Sequence, residues 1–312
     1  MQAAVSSIMD MFKDIAWFVL WAGCALLIIE IAFPASRYSL YSRVRGYGFW
    51  LLNSVFMAVT IQGMALVIAH FGIKPLWTFR PFDMLDGAFG VFQFGELIVA
   101  AIAANAVSYF FLYWFHRLQH VVPWLWDFHK VHHAVREMSA INCNHHFSEE
   151  MFRAPFIAVP MAFLIGVNAG PTPYIVGAIL GIQVLYEHSS TRLHIGFLRY
   201  LINDNRYHRI HHSIEERHWN KNFSSYTPIW DIAFGTAYFP SKGEWPETGV
   251  EGVKDPSTIS EMLFTPFRRR GFEEQQALDR LKSTQPDRSK NAIVYIATLC
   301  ILLIAPLVWL FS

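Results

Sequence analysis

Whatever fold this chain adopts must bring three short histidine clusters together. They are His116 and His120 in HRLQH, His129, His132 and His133 in HKVHH, and His208, His211 and His212 in HRIHH. On an α-helix, positions i, i+3 and i+4 lie on one face, so each cluster is expected to aim two or three imidazoles at a common point. With histidine at 14 of 312 positions, a random chain would contain HxxHH only about 0.03 times on a template count. Two copies therefore signal a purpose, and neutral imidazole is the commonest protein ligand for a metal ion.

The rest of the chain is membrane-like. Hydrophobic residues make up 54% and charged residues only 16% of it, too apolar for an ordinary soluble domain of this length. Stretches long enough to cross a bilayer as helices occur at residues 15–33, 49–71, 97–115 and 292–311. Two shorter ones, 154–167 and 174–186, flank the turn-like NAGPTP and suggest a helical hairpin that spans or re-enters. The expected fold class is all-α: a polytopic membrane protein of four to six membrane helices with a cytoplasmic helical cap carrying the histidines. Residues 1–96 are N-terminal helices and loops, 97–270 a catalytic domain containing the hairpin, and 271–312 a linker and final membrane helix.

Charge orients this arrangement. The loop PASRYSLYSRVRGYG carries Arg37, Arg43 and Arg45 and no acid, which marks it as cytoplasmic. Counting crossings from there puts all three clusters on the cytoplasmic side, together with Arg268, Arg269, Arg270, Arg288 and Lys290. A net charge of +1 with no long run of one sign gives no support for a nucleic-acid role. Of the cysteines, Cys24 and Cys300 fall in apolar spans and Cys143 between clusters, so neither a disulfide framework nor a thiolate metal site is expected.

One structural metal needs about four ligands. Eight histidines at motif spacing imply two metals, and nitrogen ligation without thiolate suits iron, copper, nickel or zinc. His188, which closes the 174–186 segment, is placed to complete a site. His145 and His146 are adjacent and cannot share a helix face; His146 is the favoured further ligand. His194 reads as a surface or supporting residue, and His70 and His218 as unconnected with the metals. Asp127, Glu149, Glu187 and Asp204 are available to orient imidazoles by accepting their distal N–H.

The order HxxxH, HxxHH and HxxHH, with a membrane hairpin between the second and third clusters, resembles the fatty acid hydroxylase superfamily, which includes sterol desaturases and alkylglycerol monooxygenase. The resemblance runs from about residue 97 to residue 270. HRIHHSIEERHWNKNFSSYTPIWDIAFGTAYFP is similar to a stretch in bacterial members and alkylglycerol monooxygenase. The resemblance implies that His116, His120, His129, His132, His133, His208, His211 and His212 bind a pair of irons, with His188 a further ligand. His146 and Glu149 match a His-x-x-Glu of many members, although Phe147 stands where proline is frequent. Lys221, Asn222, Trp230, Asp231 and Gly235 match the later element and are read as packing and loop structure. No acidic residue directly follows His120, unlike some ether-lipid-cleaving members.

The resemblance further implies an O2-dependent oxidoreductase, a lipid hydroxylase or desaturase, with O2 as co-substrate. The aromatic residues Trp114, Trp124, Trp126 and Phe128 read either as an interfacial belt or as flanks past which a substrate enters from the bilayer. Electrons must come from a separate redox partner, because the chain has no Gly-rich dinucleotide fingerprint. The expected location is the bacterial cytoplasmic membrane or the endoplasmic reticulum membrane. Two alternatives are a membrane zinc-dependent lipid hydrolase, whose three-ligand sites the histidine count exceeds, and a metal-ion transporter, whose ligands belong at mid-membrane positions.

Overall fold

The computed structural model describes residues 2–79, 91–167 and 172–283. Long helices come first: α1 (Gln2–Ala32) and α2 (Leu40–His70) pack as an antiparallel pair. Both α2 and the part of α1 from Val5 onward are long and apolar enough to cross a membrane. The basic stretch expected as a loop is instead helical from Leu40, with the Ser39 hydroxyl accepting the Ser42 N–H at 3.2 Å as its N-cap. Gly46 explains why that stretch reads as a turn and folds as a helix. A Cβ there would stand 2.6 Å from the Ile141 carbonyl oxygen, so glycine lets α2 lie against the backbone of another segment.

The expected third span falls within α3 (Val91–Val121), which runs on to carry His116 and His120. A one-residue break at Val122 and Pro123 at the first helical position start α4 (Pro123–His133), bearing the second cluster. The hairpin segments correspond to α5 (Ser148–Leu164) and α6 (Thr172–Glu187). One departure from an all-α fold is a short parallel pair, β1 (Trp77–Phe79) with β2 (Ile165–Val167), in which Thr78 is paired with Gly166. The expected final span at 292–311, with Arg288, Lys290 and Cys300, and residues 168–171 of the expected turn lie outside the described residues.

A polar layer of short helices closes over the ends of α3 and α6: α7 (Asn205–His211), α8 (Ile229–Ala233), α9 (Ile259–Phe264) and α10 (Phe272–Ser283). Its attachment to α4 is both apolar, through Trp126 packed on Leu278 and Leu281, and ionic. The Lys130 ammonium, 1% exposed, meets Glu274 at 2.6 Å and Asp127 at 3.1 Å, and Arg270 also reaches Asp127 at 2.5 Å. Asp127 is thus part of this layer's anchorage and not a partner of an imidazole. Beneath, Val19, Ala22 and Leu26 of α1 enclose Ala140, Ile141 and Leu185 in an apolar core. Glu30, at the end of α1, is the polar counterpart of that core: it pairs with Arg43 and accepts the Ala140 and Ser190 N–H groups at 2.9 and 2.7 Å.

Candidate metal centre

The eight motif histidines and His188 meet in two adjoining sets. His116, His120, His129, His133 and His211 form site A; His132, His188, His208 and His212 form site B. Within each set the ligand atoms lie within 4.8 Å of one another, and every one of these nine residues is buried. His116 and His120 do aim at one point, in site A, but for the second and third clusters that expectation is corrected here. At about 100° per residue, positions i and i+4 nearly eclipse while i+3 and i+4 diverge. So α4 sends His129 and His133 to site A and His132 to site B, whereas α7 sends His208 and its C-cap His212 to site B and His211 to site A. The sites share a wall, with the His133 and His212 rings stacked at 4.4 Å and 18°.

Hydrogen bonding fixes which nitrogen of several rings carries the proton. His116 Nδ1–H donates to the Phe223 carbonyl at 2.7 Å, His211 Nδ1–H to the Lys221 carbonyl at 2.8 Å, and His129 Nδ1–H to Glu149 Oε2 at 2.9 Å. A neutral imidazole has one proton, so the Nε2 atoms of these rings are bare. Yet His116 Nε2 stands 2.9 Å from His211 Nε2 and 3.0 Å from His129 Nε2. Lone pairs facing at that range need a cation between them. Ligand atoms roughly 2.1 Å from a shared ion would stand about 3.0 Å apart at right angles and about 3.4 Å apart in a tetrahedron. Site B separations are 3.0 to 3.3 Å. His120 Nε2, buried at site A with no hydrogen-bond partner among the described residues, is a further unspent ligand atom. The donor set therefore fits two nitrogen-ligated ions.

Burial keeps the rings neutral, as ligands must be. It is the main cause, reinforced by neighbouring imidazoles, that holds His116, His120, His132, His133, His208 and His212 well below the usual histidine range. Burial likewise lowers His188 to about 4 and His211 to about 3, against the opposing pull of their carbonyl acceptors. Once unfolded, the same rings take up protons near pH 6.5. Below that pH the unfolded chain binds more protons, so each such histidine removes about 1.4 kcal/mol of stability per pH unit as pH falls toward its folded value. Chelator-treated protein is expected to lose stability progressively as pH falls below about 6.5, through about 4 for His188 and about 3 for His211. Denaturation midpoints that do not move across that window would contradict the buried neutral cluster.

Glu149 is the one of the four suggested acids that reaches imidazoles. It is 4% exposed and takes hydrogen bonds from His129, from His145 at 3.2 Å and from the Gln119 amide at 2.6 Å. Burial would raise its pKa, but the adjacent His145 and His129 rings hold it well below the usual carboxylate range. Glu187 accepts the Tyr226 N–H at 2.7 Å, and Asp204 is the N-cap of α7, accepting the Tyr207 N–H at 2.9 Å.

His146, the favoured additional ligand, is displaced from the sites: its Nδ1 is 2.7 Å from the Ser148 hydroxyl and its Nε2 is 3.3 Å from the Leu263 carbonyl. The adjacent His145 faces the centre instead, stacked on His132 at 3.7 Å. Neighbouring side chains point apart, and sequence gives no sign of which one turns inward. His194 and His70 are exposed, and buried His218 is held by Ser213 and Glu244; none of the three joins a site.

The element KNF, expected to be packing, supplies the carbonyls that orient His116 and His211. Asp231 secures it, accepting from the Phe223 and Ser224 N–H groups at 2.9 Å each, from Tyr207 at 3.0 Å and from Thr236 at 2.7 Å. Backbone acceptors leave no side-chain signature, and only the recurrence of KNF and WD after the third cluster hinted at them.

Among the described residues, cavities reach the centre from two sides. One of about 1130 Å³ extends among α1, α2 and α6, walled by residues such as Phe18, Met57 and Leu180, and touches His145 and His188. The other, about 50 Å³, touches His120, His133 and His211 between Trp126, Trp219 and Leu278. Trp126 is thus interior, 5.0 Å from the His120 ring, while Trp124 is 54% exposed.

Residues 101–236 match the family described as fatty acid hydroxylase. Over 172 residues the chain is 29% identical to alkylglycerol monooxygenase of Xenopus tropicalis, a match covering 50% of this chain and 32% of that protein. Over 127 residues it is 27% identical to alkylglycerol monooxygenase of Homo sapiens, covering 40% and 27% respectively. The match thus spans about a third or less of the length of these curated relatives. No solved structure matches the chain.

Proposed function

We propose that this chain, a member of the fatty acid hydroxylase superfamily on its alkylglycerol-monooxygenase-like side, is an oxidoreductase that uses O2 to hydroxylate a lipid within the membrane. The observation that carries the reading is the pair of interlocked all-histidine sites, one of which opens on a large apolar cavity. Two irons are the proposed occupants. His116, His120, His129, His133 and His211 would hold one, and His132, His188, His208 and His212 the other. Bound iron would supply the reduction of O2 and the removal of hydrogen from an unactivated C–H bond.

The chain's own residues do the rest. Glu149, Phe223 and Lys221 keep three rings in the tautomer that presents bare Nε2 atoms. The cavity walls take up the apolar chain, exclude water and hold the target carbon beside His188 and His145. The overall change converts C–H, O2, two electrons and two protons into C–OH and water, so a separate electron-transfer partner is part of the proposal. So are a multi-pass membrane location and a cytoplasmic position for the centre, supported by α1, α2 and the basic stretch after α1.

The nine histidines exceed the three protein ligands of a catalytic zinc site, which weighs against a lipid hydrolase. Iron-loaded protein, prepared anaerobically and given lipid extract, a chemical reductant and then O2, should consume O2 and yield lipids heavier by one oxygen. Lipid hydrolysis without O2, or oxidation unchanged when iron is replaced by zinc, would overturn the proposal.

A further inference from the structure

The two sites differ in what stands behind their ligands. In site A, three of five rings have Nδ1 bonded directly: His116 to Phe223, His211 to Lys221 and His129 to Glu149. In site B, among the described residues, only His188 is so held, by the Val184 carbonyl at 2.7 Å. The Nδ1 atoms of His132, His208 and His212 are buried without a partner among the described residues.

We propose that Asn222 is a positioning residue that selectively fixes site A, by setting the loop whose two carbonyls hold His116 and His211. This rests on the two-metal reading above. Asn222 is fully buried and adopts φ 56°, in the left-handed region. Asparagine tolerates that region, whereas alanine is strained there. Its side-chain amide donates to the Tyr207 and Tyr238 carbonyls, both at 2.8 Å, and accepts the Tyr238 N–H at 2.7 Å. Its backbone N–H donates to the Thr236 carbonyl at 3.0 Å. Four bonds therefore pin the residue between Lys221 and Phe223. The carbonyls on either side consequently reach rings from two different helices, α7 and α3, whose Nε2 atoms are 2.9 Å apart. No equivalent bond runs from this loop to a site B ring among the described residues.

The test measures metal retention, not turnover. His188→Ala weakens site B and leaves site A to be titrated with a chelator; His116→Ala does the reverse. Adding Asn222→Ala should raise the iron dissociation constant about 10–100-fold in the first background, and change it less than about twofold in the second. Asn222→Gly keeps the left-handed backbone and loses the amide clamp, so its effect on site A should lie between wild type and Asn222→Ala. If Asn222→Ala does not fold, Asp231→Asn, which loosens the same loop through the Phe223 and Ser224 N–H groups, decides the question with the same expected pattern. Equal weakening in both backgrounds, or no weakening of site A, overturns the inference while leaving a two-metal wild type intact. A wild-type chain that binds fewer than two irons overturns the functional proposal and this inference together.

Discussion

Replacing His133 by alanine is expected to lower lipid oxidation about a thousandfold or more, equivalent to ~4 kcal/mol of barrier. Its Nε2 faces His129 Nε2 at 3.1 Å in site A, and its ring forms the wall against His212 of site B. Truncation therefore removes a ligand from one set and the lateral support of a ligand in the other. Iron content should fall in parallel, which separates loss of the centre from loss of substrate binding. Two other histidines supply the contrast. His194→Ala, exposed and outside both sets, should leave iron content and activity within about twofold of wild type, as for a surface change. His146→Ala should keep the metal content of wild type, since that ring bonds Ser148 and Leu263 instead of the centre. A His146→Ala protein that loses iron as His133→Ala does would show the assignment of rings to be wrong.

The second large effect is expected at Glu30, far from any imidazole in sequence. Its carboxylate is 1% exposed, faces the Arg43 guanidinium and caps the Ala140 and Ser190 N–H groups. One side chain thereby joins α1 to α2, to the loop after α4 and to the loop after His188. Glu30→Ala leaves a buried cation and two buried amides without partners, a change that costs about 3–5 kcal/mol. The denaturation midpoint of purified protein in detergent should drop accordingly. Removing both charges, as Glu30→Leu with Arg43→Leu, should be less damaging than either single change, because no unpaired ion remains. A Glu30→Ala protein within about 1 kcal/mol of wild type would mean that water reaches this pair and screens it.

The site's composition was legible in sequence far more than its arrangement. Side-chain type and helical spacing picked out the eight motif histidines, and its place at the end of the 174–186 segment picked out His188; the structure brings these nine rings together in two sets. The division of HKVHH and HRIHH between two sites was hidden, since it depends on how α4 and α7 face each other. The preference for His146 over His145 went the other way for a similar reason: the turn entering α5 faces His145 inward and His146 toward Leu263. The carbonyls of Lys221 and Phe223 could not be read at all, being common to every residue type. In the fold, apolar length located α1, α2 and α3, but polarity misread residues 40–48 as loop. Gly46 is helical there because α2 touches the Ile141 backbone, a tertiary contact that local sequence does not announce.

The bond from His116 to the Phe223 carbonyl spans 107 positions, and this has a bearing on biogenesis. While the ribosome is still making the third cluster, the earlier imidazoles already exist without the backbone groups that will select their tautomer. Assembly of the finished centre must await synthesis through Thr236, whose contacts with Asp231 and Asn222 hold that loop. On the proposed two-iron reading, metal loading would follow synthesis through Thr236, and a nascent chain arrested before that point would present loose histidines to whatever metal the cell offers.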